Sequence, residues 1–463
     1  MPASPLMSSD AIRDAFSAAM SAMYRQEVPA YGTLMELVAD VNEATLRRDP
    51  TLRASLQATE TLDRISQERH GAIRLGTEAE LAMMRRVFAV MGMFPVGYYD
   101  LSEAGVPVHS TAFRAVDAAA LTVNPFRVFT SLLRLDLIAD PDLREAARET
   151  LSARCIFSGG AVALVEKAER DGGLSHTDAA RFVAEVLDTF RWHEVASVNL
   201  AMYQRLHAAH RLIADVVSFK GPHINHLTPR TLDIDAVQEG MPGRGITPKA
   251  VVEGPPSRAC PILLRQTSFK AIEERVSFPD DAGALATGSH TARFGEIEQR
   301  GIALTPKGRA LYDRLLGEAR AHVRPAADGS NAEAYRSALE HSFAAFPDDW
   351  DALRLAGLGY FHYSVAPDAD LSNLGAADIE TLIKVGVVRF DPIVYEDFLP
   401  VSAAGIFQSN LGDQSVQDFA ASPNQKLFET ALGATVLNEF DHYARIERAS
   451  IERCLAAVRV LAA

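Results

Sequence analysis

Two histidines and a run of carboxylates carry the chemistry that this chain could perform. His70 lies in Arg69-His70-Gly71-Ala72-Ile73-Arg74, His226 ends His223-Ile224-Asn225-His226, and Glu296 sits in Phe294-Gly295-Glu296-Ile297-Glu298-Gln299-Arg300. Two imidazoles and one carboxylate on a divalent ion leave coordination positions open, which is the ligand set of non-haem Fe(II) oxygenases.

Each segment reads as a strand, where side chains two apart share a face. His70 and Arg74 then point the same way, about 13 Å apart along the backbone. That separation suits a small acid gripped at both ends: a metal on His70 takes one end. The Arg74 guanidinium, which can form paired hydrogen bonds to a carboxylate, takes the other. The competing reading is a surface His and Arg on an edge strand. His223 rivals His226, because residues three apart on a strand face opposite ways and at most one can serve the metal. His290, Phe294, Glu296, Glu298 and Arg300 share one face, so periodicity leaves the choice between the glutamates open; a solvated edge of alternating charge competes here.

Other patterns carry less. His193-Glu194 lacks the following histidine of a zinc-protease helix, and His207 with His210 reads as a polar helix face. Gly159-Gly160 reads as a turn, since no lysine follows at the spacing of a phosphate-binding loop, and there is no dinucleotide fingerprint.

The elements that must position these residues form a repeating pattern. Amphipathic helices are expected from Asp10 to about Ala58. A strand over His70–Gly76 precedes Thr77-Glu78-Ala79-Glu80, a capping box opening a helix through about Val90. Extended runs follow at Phe94–Asp100 and Val106–Phe113; near Ala115 another strand competes with a helix starting at Asp117. The order returns later: an extended His223–Thr228, a helix over Asp233–Gly240 with Asp233 as N-cap, then extended Lys249–Glu253, Ile262–Phe269 and Thr291–Gln299. A duplicated strand-helix-strand module is expected. Between the copies, Asn124 to about Ala214 carries helical signals, including Phe129, Leu132 and Leu133, and reads as an insertion. Helices are expected again at Gly308–Val323, Ala332–Phe346 and Leu427–Val460. An irregular segment from Val388 to Leu411 could fold back over a pocket.

The expected organisation is thus an N-terminal helical layer (1–60), a metal-binding β core (61–300) with a helical insertion at about 117–215, and a mostly helical C-terminal region (301–463). A chain of 463 residues with 48% hydrophobic and 23% charged residues has the composition of a globular protein. The net charge of -14 argues against a nucleic-acid groove or an anionic membrane as main partner. Cys155, Cys260 and Cys454 are an odd count with no CxxC pair, which suits a reducing cytoplasm and opposes a thiolate zinc site. Met1 to Tyr24 show no basic start followed by an apolar run, so export is not expected, and no later segment reaches the roughly 18 apolar residues of a membrane span. The expected location is cytoplasmic.

Over nearly its full length the chain resembles the 2-oxoadipate dioxygenase/decarboxylase family, also called hydroxyglutarate synthase. The most specific matches are His70-Gly71-Ala72-Ile73-Arg74, the segment from Lys220 through Arg230, and Arg293 through Gly301. The family looks like a distant vicinal-oxygen-chelate fold, which implies an α+β protein whose β-barrel core is built from two strand-helix-strand modules. Its last metal strand is similar to that of 4-hydroxyphenylpyruvate dioxygenase and hydroxymandelate synthase, where a glutamate precedes Gln-Arg with two residues between; that spacing selects Glu296 over Glu298. The resemblance implies Fe(2+) held by His70, His226 and Glu296, with Arg74, and a loop including Val401 and Ser402, on the distal carboxylate of the substrate. It further implies that the chain is an enzyme of lysine breakdown, converting 2-oxoadipate and O2 to 2-hydroxyglutarate and CO2. Two other readings compete. One is an O2-independent metal isomerase or lyase of the same superfamily, using Zn or Ni; the other is a non-catalytic helical binding protein with structural histidines.

Overall fold

The computed structural model describes residues 6–58, 62–67, 69–280, 282–326, 328–367, 369, 378–399 and 424–461. Its strands are β1 (Leu6–Met7), β2 (Arg69–Leu75), β3 (Phe94–Asp100), β4 (Val108–Arg114), β5 (Arg127–Leu133), β6 (Leu174–Ser175), β7 (His226–Pro229), β8 (Leu264–Ser268), β9 (Ile272–Pro279), β10 (Leu285–Arg300), β11 (Phe361–Val365) and β12 (Val388–Pro392). The chain divides into two compact units. One comprises Met1–Val252, Gln266–Glu298 and Pro400–Val436, the other Glu253–Arg265, Gln299–Leu399 and Leu437–Ala463.

The first unit is organised by one mixed sheet with the order β3-β4-β5-β2-β7-β10-β8, with β9 pairing to β10. Its symmetry is visible in the pairing. The opening strand of each module lies parallel to a later strand of the same module, β2 to β5 and β7 to β10, while β2 and β7 meet antiparallel at the centre. The fold is α+β, and the expected barrel is a curled half-barrel running from β3 at one edge to β8 at the other.

Local chemistry explains the boundaries. Thr77 caps the helix Glu78–Val90 by accepting from Glu80 N, and the Glu80 carboxylate returns to Thr77 N, a reciprocal capping box. Asp233 caps Ile234–Gly240 through Ala236 N. The N-terminal helix Ser9–Glu27 lays Ile12, Phe16, Met20, Met23 and Tyr24 into the core, with Phe16 edge-on to Phe126 and Phe190. At its end the Tyr24 hydroxyl donates towards the carbonyls of Phe294 and Asn225, 2.8 and 2.9 Å away. That ties the helix to the two strands carrying Glu296 and His226.

Several expectations are corrected. Phe129, Leu132 and Leu133, read as helical, lie in β5, a strand buried along its whole length at the middle of the sheet. A strand covered on both faces loses its polar alternation, so its apolar run cannot be told from a buried helix by period alone. Lys249–Glu253 forms no strand, and β9, which hairpins onto β10, was not anticipated. Near Asp117 the helix reading is the right one, over Ala118–Val123.

In the second unit, the helices Pro306–His322 and Ala332–Phe343 accompany the β11–β12 pair. The stretch Leu427–Val460 is two helices, Asn424–Leu432 in the first unit and Glu439–Leu461 in the second. Of the segment Val388–Leu411, the start is β12; residues 400–411 lie outside the described residues, and so do Val401 and Ser402. Among the described residues no helix is long and apolar enough to cross a membrane.

Candidate metal centre

The register of three neighbouring strands brings the donors together. His70 on β2 pairs with Thr228 on β7, and Phe294 and Gly295 on β10 pair with His226 and Leu227, which sets Glu296 beside Thr228. Ligand atoms of His70, His226 and Glu296 all lie within 4.8 Å of one another, and all three residues are buried. Glu296 Oε2 is the focus: His70 Nε2 is 3.0 Å away, Thr228 Oγ1 donates at 3.0 Å, Gln266 Nε2 donates at 3.2 Å, and His226 Nε2 stands at 3.7 Å.

The orientation of each ring has its own cause. His70 Nδ1 lies 2.9 Å from Glu298 Oε2, and Glu298 is in turn held by Arg127 NH2 at 3.3 Å. A carboxylate behind an imidazole fixes the tautomer and directs the opposite nitrogen forward. His226 stacks on Phe294, ring centres 4.8 Å apart, while its Nδ1 is buried with no hydrogen-bond partner among the described residues. Packing, not a hydrogen bond, sets its orientation.

Burial, with His70 and Arg74 nearby, holds the His226 imidazole well below its ordinary range and so neutral, as a metal ligand must be. For His70, burial opposes the charge but Glu298 and Glu296 outweigh it and raise the pKa. A cation between His70 Nε2, His226 Nε2 and Glu296 would take over the role of that proton. Two imidazole nitrogens and a carboxylate oxygen, buried and convergent with no thiolate, form a donor set that fits Fe(II).

The remaining candidates sort themselves by geometry. His223 does not join the cluster; its Nε2 lies 3.2 Å from Asp215 Oδ1. Glu298 stands behind His70, and His290 Nε2 lies 2.9 Å from Asp215 Oδ1. Arg74 shares the β2 face with His70 and pairs through NH1 with Asp215 Oδ2 at 2.5 Å. Sequence reasoning missed Thr228, Gln266, Arg127 and Asp215. Only Asp215 left a signal, as a single acid among the buried Leu212, Ile213, Ala214, Val216 and Val217.

Fold and donor set define a class: a duplicated strand module presenting a buried two-histidine, one-carboxylate cluster, an arrangement suited to a metal-dependent enzyme. The chain belongs to the 2-oxoadipate dioxygenase/decarboxylase family, whose profile matches residues 16–410. A 2-oxoadipate dioxygenase/decarboxylase of Pseudomonas putida is 57% identical over 467 residues, covering 99% of each chain, and one of Escherichia coli is 54% identical over 97% of this chain and 98% of that one. The crystal structure of the hydroxyglutarate synthase from Pseudomonas putida in complex with 2-oxoadipate aligns with a TM-score of 0.90 at 55% identity, covering 98% of this chain and 99% of that one.

Proposed function

We propose that this chain is a cytoplasmic Fe(II)-dependent dioxygenase of lysine breakdown that converts 2-oxoadipate and O2 to 2-hydroxyglutarate and CO2. The observation that carries the reading is the convergence of His70, His226 and Glu296 within 4.8 Å, in a family whose relatives carry the 2-oxoadipate name. The reaction balances: the carboxylate next to the keto group leaves as CO2, one oxygen atom completes the new carboxylate, and the other enters the C–H bond beside it as hydroxyl.

His70, His226 and Glu296 would hold the ion, which when bound supplies O2 activation and polarises the keto group. The protein supplies the rest. Arg74, with Val401 and Ser402, is assigned to the far carboxylate, and fixes which carbon lies next to the reacting centre. Glu298 and Arg127 hold His70 from behind, and Thr228 and Gln266 hold Glu296. Burial of all three donors keeps bulk water out, so the oxidant is spent on substrate.

The test is stoichiometric. Protein reconstituted anaerobically with Fe(II) and given 2-oxoadipate is expected to consume O2, release CO2 and form 2-hydroxyglutarate in equal amounts, with no added 2-oxoglutarate and with labelled O2 entering both new oxygen positions. Absence of turnover on admitting air rejects the proposal. Turnover persisting under strict anoxia favours the isomerase or lyase reading instead.

A further inference from the structure

Asp215 is an acid where the helix Arg211–Val217 otherwise buries apolar side chains. Placing a carboxylate there costs several kcal/mol unless its oxygens are paired. Both are. Oδ2 accepts from Arg74 NH1 at 2.5 Å, while Oδ1 lies 2.9 Å from His290 Nε2 and 3.2 Å from His223 Nε2. Burial works against its charge, yet Arg74 and the two imidazoles hold its carboxyl well below the usual carboxylate range.

The far side of this cluster is rigid. His290 Nδ1 meets the Tyr203 hydroxyl at 2.9 Å, and Trp192 and Phe219 pack against both imidazole rings. Asp215 therefore cannot follow Arg74 if the guanidinium swings. An arginine side chain has many rotamers, and a fixed anion on one edge selects among them. The pairing also cancels the formal charge of Arg74, so a ligand carboxylate meets a placed hydrogen-bond donor more than an uncompensated cation. Recognition then depends on distance, which is what separates acids differing by one methylene.

We infer that Asp215 is a positioning residue: clamped by His290 and His223, it fixes how far the Arg74 guanidinium stands from the metal centre, and so sets the preferred chain length of the 2-oxo dicarboxylic acid. The inference rests on the reading of Arg74 as anchor of the distal carboxylate. Asp215→Glu keeps the charge and adds one methylene, pushing the guanidinium inward. It is expected to shift the kcat/KM ratio of 2-oxoadipate over the shorter 2-oxoglutarate at least fivefold towards 2-oxoglutarate, with iron content unchanged. Asp215→Ala is expected to raise KM for 2-oxoadipate at least tenfold while kcat changes far less, and Asp215→Asn, which keeps an oxygen for Arg74, to recover most of that loss.

An unaltered chain-length ratio in Asp215→Glu overturns the inference, as does loss of iron from that variant. If Arg74→Ala raises KM for 2-oxoadipate and Asp215→Glu leaves the ratio alone, only the positioning role fails. If Arg74→Ala leaves KM unchanged, the anchor reading itself fails and takes this one with it.

Discussion

Nδ1 of His70 lies 2.9 Å from Oε2 of Glu298, on the side of the ring opposite the 3.0 Å approach of Nε2 to Glu296. One imidazole is thus held between two buried carboxylates with different tasks. Glu298, fixed by Arg127, orients the ring and raises its basicity, leaving Glu296 on the side of the candidate metal position.

Glu298→Gln should separate these tasks. The amide preserves shape but removes the charge behind His70, so affinity for Fe(II) is expected to fall about 10- to 100-fold. Titration of metal-free protein with Fe(II) under anoxia measures it. A variant binding iron as tightly as the parent would show that Glu298 serves only to neutralise Arg127.

Gly71 supplies a second handle on the centre. A Cβ built there would stand 2.6 Å from Ile224 Cδ1 and 3.0 Å from the His226 carbonyl oxygen, so the Ile224 side chain would have to turn away and the β7 backbone at His226 give slightly. Overpacking of this kind costs about 1–3 kcal/mol. Gly71→Ala is expected to lower the unfolding free energy of the metal-free protein by that amount and to weaken iron binding as His70 and His226 separate. Denaturant melts with and without Fe(II) report both effects; unchanged iron affinity would mean that the strands adjust without moving the donors.

How much of this was legible beforehand follows from the range of each interaction. The capping box at Thr77 and Glu80 is local, and its helix ends where periodicity put it. The duplication was legible because each module repeats its order of elements, and the pairing of β2 with β7 at the sheet centre follows from it. β5 was misread because a doubly covered strand carries no alternation. Glu296 and Glu298 share a face and a charge, and only the third dimension separates one beside Thr228 and Gln266 from one beside Arg127. Asp215 lies 141 residues from Arg74 in sequence, a pairing that no local pattern announces.

Glu80 also reaches beyond its cap. Its two carboxylate oxygens each lie 2.8 Å from Arg154, through Nε and NH2, and Arg154 NH1 donates to the carbonyls of Val216 and Phe219, the stretch that follows Asp215. Both side chains are buried, at 7% and 5% exposure. Removing one partner of such a pair leaves the other charge uncompensated, at about 3–5 kcal/mol. Glu80→Ala is therefore expected to be among the most destabilising single substitutions in the first unit, read by chemical denaturation. A loss below about 1 kcal/mol would place the pair in the range of solvent-screened surface ion pairs.

His109 on β4 is 4% exposed, edge-on to Phe428 with ring centres 4.8 Å apart; burial first, and then Arg134, push its pKa down to about 4. Above the unfolded value near 6.5 both states are neutral, and the residue makes no pH-dependent contribution. As pH falls below that value the unfolded chain takes a proton that the folded chain refuses. Stability then drops by up to about 1.4 kcal/mol per pH unit, until the folded state also protonates near 4. The whole loss is roughly 3 kcal/mol. Other buried histidines titrate too, so the measurement is a difference: unfolding free energies of the parent and of His109→Gln from pH 7 to 4. The variant should show a shallower slope between about pH 6.5 and 4, and parallel slopes would mean that His109 gains its proton without leaving the core.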